Sequence, residues 1–471
     1  MPSPDLLKTV TAAIDTLIEA SQPHQGLFPA MMDRATATLL RGPMPPQMEG
    51  LRDSDRAYLG CNLTHDVPLL ETMVDLSAAG LRPDYAAAAD RYLHRFATHC
   101  APASVTGLFP WGEHSFWDLV ADTVGNSYLN TPYYKGQEHL AACPTHHQIG
   151  SLPRRQWERL GNAHPEAVTR FAEGLEWHWS GPEHRDFNRH APITEKTYNY
   201  HHLRHARHNN LPAPGIGSDF PGSAGHFVHS LAVAQSLKPT PVQARLLRDY
   251  LDYWWDRRLP NGLTPVSSAR PNWGLGQTLS HLTSLIAAAP EAARFDADLA
   301  DEIRHRARAY LDAVLAIPQP LTDGQFIHQL ETDGTPFRAA PLWNGPDRGR
   351  GANSPHFARR LLRAHRALEA PRALDIARRM GRILGESPVP EDGDVRAADL
   401  SHAIGLLVEL HEADPQTAWL DTASAIADRA VQLFFDLPLP RAGVSRDHYE
   451  SQAGSSHLIR SLQQLALARE G

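Results

Sequence analysis

The segment "HRDFNRHAPITEKTYNYHH" places Asn188, Arg189, His190, Tyr198 and Tyr200 close together in the chain. These residue types suit β-elimination from a uronic acid. That reaction needs the carboxylate neutralised so that the adjacent C–H becomes acidic, a base for the proton, and an acid at the leaving oxygen. Asn188 or Arg189 fits the first task, and His190 with Tyr198 or Tyr200 fits the other two. The alternative is a polar, solvated insertion. A second constellation is "GLFPWGEHSFWDL", residues 107–119. Glu113 and His114 are acid or base candidates there, and Trp111 and Trp117 offer apolar faces on which a sugar ring stacks. The competing reading makes both tryptophans core residues and Glu113 a helix-terminal charge.

Further candidates for sugar contact are Trp273, Gln277 and His281 in "RPNWGLGQTLSH", and Arg350 in "LWNGPDRGRGANSPH". They pair aromatic surface with amide and guanidinium groups, which bind hydroxyls and carboxylates. His146 and His226 join them because each opens an apolar helical stretch. His201, His202, His205 and His208 lack a carboxylate or cysteine partner at ligand spacing, so no metal is expected. No phosphate loop, dinucleotide fingerprint, nucleophile elbow or HExxH motif occurs, so no cofactor is expected.

An internal repeat must position these groups. "GLFP" begins at Gly26 and again at Gly107, and a Thr-His pair ends at His65 and again at His146. Both recurrences have the same offset, which points to a duplicated unit. Weaker copies carry His226 with His229, His281, His356, His402 and His457, each ahead of apolar sequence with helical spacing. Small or polar residues before these histidines suit helix N-caps. Each histidine alone reads as a capping or packing residue; as a set they predict one wet, histidine-lined face. Charged stretches such as "LADEIRHRARAYLDAVL" alternate with the small-residue ones. The expected fold is all-α, an (α/α)6 or (α/α)7 toroid of helical hairpins, with an open solenoid as competitor. It is expected as a single domain over 1–471, with a His/Asn-rich insertion at about 180–222.

The chain has 471 residues, is 42% apolar and carries a net charge of −8. Such a balance supports a large core and disfavours nucleic-acid or acidic-membrane binding. Cys61, Cys100 and Cys143 form neither a disulfide framework nor a zinc pattern. The N-terminal segment reads as an amphipathic helix, so the chain as written is expected in the cytoplasm, or secreted or periplasmic if a leader was removed.

The repeated Gly-loop and inner-helix pattern, with the "FNRH" and "YNY" cluster, resembles the (α/α)-toroid carbohydrate-active enzymes. These include uronic-acid polysaccharide lyases, unsaturated glucuronyl hydrolases and glucuronidases. The resemblance implies a uronate-containing oligosaccharide or polysaccharide as partner. It also implies an Asn–His–Tyr or Arg-assisted set, matched here by Asn188, His190 and Tyr198 or Tyr200. Many such lyases carry a C-terminal β-sandwich, whereas this chain ends on an inner-type helix. The leading expectation is a lyase acting by β-elimination. The alternatives are a glucuronidase-type hydrolase using Glu113 or Asp118, an α-helical binding scaffold, and a sugar epimerase.

Overall fold

The computed structural model describes residues 5–111, 114–127, 152–181, 184–187, 193, 220–267, 270–343 and 352–470, without side-chain detail at 173, 179–181 and 184–187. Fourteen α-helices occur among them. The odd-numbered helices are α1 (Leu6–Ser21), α3 (Asp84–Arg95), α5 (Pro165–Trp177), α7 (Pro241–Trp255), α9 (Ala297–Ala316), α11 (Pro371–Glu386) and α13 (Thr417–Phe434). The even-numbered ones are α2 (Leu63–Ala78), α4 (Arg154–Ala163), α6 (Pro221–Leu237), α8 (Leu275–Ala292), α10 (Ser354–Leu368), α12 (Ala397–Ala413) and α14 (Ser455–Glu470).

Sequence explains the alternation. Helix α6 is small or apolar on every side, and Ala224, Phe227, Val228, Leu231, Ala232, Val233 and Ala234 are all fully buried. A helix of that kind has protein on all sides. Helix α11, "PRALDIARRMGRILGE", buries Ala373, Leu374, Ala377, Met380 and Leu384 on one stripe and turns its arginines outward. Helix starts follow local chemistry. The side chains of Asn62, Thr240, Asp296 and Asn353 each accept a backbone N–H of the first turn, and Pro165, Pro221, Pro241 and Pro371 occupy opening positions.

Even helices pack on one another in the order α6, α8, α10, α12, α14, α2, and α4 also meets α6. Arg155 of α4 joins Glu71 of α2, so the inner circle is continuous. Each odd helix backs an even neighbour, with α1 behind α14. The described helices therefore form a closed (α/α) ring of seven hairpins, not an open solenoid. Chain ends meet on this ring: β1 (Met31–Asp33) pairs antiparallel with both β2 (Thr38–Leu39) and β12 (Tyr449–Glu450).

The remaining strands are short and antiparallel. They are β3 (Gly60–Cys61), β4 (Ser115–Asp118), β5 (Thr123–Asn126), β6 (Trp179–Gly181), β7 (His184–Phe187), β8 (Pro265–Ser267), β9 (Arg270–Trp273), β10 (Phe326–Leu330) and β11 (Pro336–Ala340). They form the sheets β3–β4–β5, β6–β7 and β8–β9–β10–β11. Every strand lies on a connection from an odd helix to an even one, so all of them crown the rim where the inner helices begin.

The repeated glycines have a common geometric role. Gly26, Gly107, Gly262 and Gly324 all have positive φ, at +94°, +104°, +84° and +71°, where a Cβ is costly. Each follows an outer helix and abuts a residue of the next one: Arg91 of α3, Arg170 of α5, Ala313 of α9 and Ile383 of α11. "GLFP" is thus the turn that takes the chain off the outer wall toward the rim.

Candidate functional site

Four of the repeated histidines come from helices that are neighbours on the inner circle. His65 (α2), His356 (α10) and His457 (α14) lie in the first turn of their helices, as N-terminal capping sequence suggests. His402 sits a turn deeper in α12, whose capping position is Arg396. The depth matters, because it brings the His402 ring to 4.5 Å from His356 and 6.1 Å from His457. His356 also meets Phe357 edge-on, and the His328 ring of β10 stacks on that phenylalanine at 5.4 Å. His457 has exposed surface, and His65, His356 and His328 are partly exposed. These side chains leave the cluster accessible to solvent.

Burial, followed by the fields of nearby arginines, depresses the basicity of these imidazoles. His457 is pushed down to about 3, by burial and then by Arg359, His65, Arg460 and Arg363. His356 and His402 are displaced the same way, with Arg359 and Arg360 contributing to both. All three are neutral at pH 7, and a neutral imidazole both accepts and donates a proton.

Beyond the histidines, the inner wall carries ion pairs. Glu409 of α12 accepts from Arg359 Nε at 2.8 Å and from Arg363 at 2.7 Å. Burial opposes its charge, but the two guanidinium groups hold it at about 2. Arg155 joins Glu71 and Asp75, Arg460 joins Asp75 at 3.1 Å, and Arg154 joins Glu291 at 2.5 Å. Asp66 of α2 is different: it accepts from the Tyr92 hydroxyl at 2.7 Å, and burial raises it to about 8.

Other expected site residues fall in three places. Asn188, Arg189, His190, Tyr198, Tyr200, Glu113, His146 and Arg350 lie outside the described residues. Trp111, Trp117, His114 and His281 are packed. Trp111 is fully buried and contacts Phe96 and Phe109 at 6.5 and 5.1 Å. Trp117 is 2% exposed, with its Nε1 donating to Asp122. Neither ring presents a face on which a sugar stacks. His114 Nδ1 donates to the Ser54 carbonyl at 2.8 Å and lies beside Asp55, tying β4 to the 53–55 turn. His281 Nδ1 donates to the Pro221 carbonyl at 2.8 Å, and its ring meets Tyr310 edge-on. It joins α8 to the start of α6 and has no exposed surface.

The third group lines the open side. His226 and Gln277 are partly exposed on α6 and α8; Gln277 Oε1 accepts the Gly222 N–H, and His226 Nδ1 lies 3.3 Å from the Ser284 hydroxyl. Trp273, half-buried in β9, rests against the Gly334 turn. The residues that sequence reasoning did not single out are Arg359 and Glu409. Their only signal is helical spacing: Arg359 follows His356 by one turn, and Glu409 follows His402 by two. Among the described residues, no group of three or more His, Cys, Asp or Glu is placed to hold a metal ion, and no helix is long and apolar enough to cross a membrane.

No family model matches the chain, and no curated protein matches it. Among solved structures it is similar to a D-mannose isomerase, with 8% identity, 98% of this chain and 96% of that one covered, and a TM-score of 0.48. It is also similar to the unsaturated glucuronyl hydrolase of Bacillus sp. GL1, with 16% identity, coverage of 66% and 82%, and a TM-score of 0.41. A GH76 α-mannanase of Bacteroides thetaiotaomicron is a third similar structure, with 10% identity, coverage of 65% and 80%, and a TM-score of 0.40.

Proposed function

We propose that this protein is a carbohydrate-active enzyme that cleaves uronate-containing oligosaccharides by β-elimination, with neutral histidines moving the protons. The supporting observation is the contact between His356, His402 and His457 beside Arg359 on the open inner wall. In the reaction a neutral imidazole takes the C5 proton of the uronate. The C–H electrons form the C4–C5 double bond, the C4–O bond breaks, and a second proton donor supplies the departing oxygen. Neutral at pH 7, the members of the cluster keep the free ring-nitrogen lone pair that a base requires. The same positive field favours an anionic sugar over a neutral one.

Hydrolysis needs a protonated carboxylic acid facing a second carboxylate; Asp66, raised to about 8 by burial, is protonated at pH 7 but has no exposed surface, and Glu409 is held anionic by Arg359 and Arg363. The deciding measurement incubates the full chain with glucuronate, galacturonate and mannuronate oligosaccharides. The expected product carries the ultraviolet band of an unsaturated uronate. New reducing ends without that band would replace the reading with hydrolysis, and aldose–ketose interconversion seen by NMR would replace it with isomerisation. Silence on every substrate would end it.

A further inference from the structure

We propose that Arg359 is an anion receptor beside the histidine cluster and takes the carboxylate of an acidic sugar. The identity of the ligand rests on the carbohydrate reading above; the receptor itself rests on three observations. First, the guanidinium is held by one edge. Its Nε donates to Glu409 at 2.8 Å, and its two terminal nitrogens have no hydrogen-bond partner among the described residues. The side chain nevertheless keeps 13% of its surface accessible, so the fork is not sealed in the core. A guanidinium fixed at one edge presents a planar pair of donors matched to a carboxylate.

Second, α12 makes room for it. A Cβ at position 405 would stand 2.5 Å from Nη1, 2.6 Å from Cζ and 2.9 Å from Nη2 of Arg359. Gly405 lies mid-helix with ordinary helical geometry, where glycine is otherwise unfavourable. Its lack of a side chain lets the guanidinium lie across α12, between the levels of His402 and Glu409. Third, charge is left over. Arg359 and Arg363 share the single carboxylate of Glu409, so this trio carries one excess positive charge. An anion entering past His457 meets that excess directly under the imidazoles whose basicity Arg359 depresses. Bound there, a uronate has its carboxylate on Arg359 and its ring against the histidines.

The test is calorimetric binding of D-glucuronate, D-galacturonate and D-mannuronate, each against its neutral parent sugar, to the full chain. At least one acid is expected to bind about ten-fold or more tighter than its parent. Arg359→Lys and Arg359→Gln should each remove that preference, and Gly405→Ala should weaken it by displacing the guanidinium. Arg366→Gln, which removes a solvent-exposed partner of Glu412, should leave it unchanged. Helix content by circular dichroism confirms that each variant folds. No preference in the wild type, or a preference that survives both Arg359 substitutions, would overturn the proposal. An Arg359-dependent preference without any unsaturated product would uphold the receptor and sink the elimination. Unsaturated product with an unchanged KM in Arg359→Lys would do the reverse.

Discussion

At the scale of single residues, the repeated histidines divide into two kinds. His281 spends its Nδ1 proton on a backbone carbonyl and has no exposed surface, whereas His402 contacts two other imidazoles beside open space. Replacing His356, His402 or His457 by Asn is expected to lower kcat/KM on the uronate substrate by about 100-fold or more, with little change in the thermal midpoint. With His457 pushed down to about 3, the base stays neutral through mildly acidic conditions. The acid limb of kcat/KM should accordingly fall below about pH 5, under the ordinary histidine value near 6.5.

His281 makes a separate prediction about stability. Burial pushes it down to about 4 in the folded chain, so between about pH 6.5 and 4 the unfolded chain binds the extra proton. Stability is therefore lost as pH falls through that window, by roughly 1.4 kcal/mol per pH unit at most from this residue. Urea titrations at pH 7, 5.5 and 4.5 should show a shallower loss for His281→Asn than for the wild type.

At the scale of elements, the two "GLFP" turns share a backbone conformation but differ in their surroundings. A Cβ at Gly26 would find its nearest neighbour at 3.5 Å, ordinary contact with Arg91. One at Gly107 would overlap the Arg170 carbonyl. Gly26→Ala is expected to cost about 1–2 kcal/mol, from the left-handed backbone alone. Gly107→Ala should cost about 2 kcal/mol more, because α5 must shift away. Denaturant midpoints of the two variants measure the difference; equal losses would refute the close approach to α5.

For the whole molecule, what matters is that the ring closes on itself. Arg56, near the chain start, donates to both oxygens of Glu450 at 2.8 Å, and His448 lies 2.8 Å from the same carboxylate. Burial opposes the charge on Glu450, yet Arg56 and His448 hold it near 2. Glu450→Gln removes the charge facing the buried Arg56 guanidinium, which keeps Asp53 and the Pro45 carbonyl, and is expected to cost about 2–3 kcal/mol. A loss under about 1 kcal/mol in urea denaturation would show that the ends of the chain are held together some other way.

The sequence by itself determined whatever depends on neighbours along the chain. The glycine turns at Gly26 and Gly107, the capping at Asn62 and Asn353, and the alternation of apolar with charged helices are local chemistry, readable at fixed spacing. The recurrence of His65, His356, His402 and His457 was visible for the same reason. Tertiary structure decided what depends on partners far away in sequence. Trp111 reads as a sugar platform until Phe96 and Phe109 cover it, and His281 reads like His402 until Pro221 and Tyr310 close over it. Arg359 gains its meaning only when α10 and α12 stand side by side, with Gly405 open beneath the guanidinium and Glu409 within reach. Exposure and electrostatic field are sums over every neighbour in space, and only closure of the ring sets those neighbours.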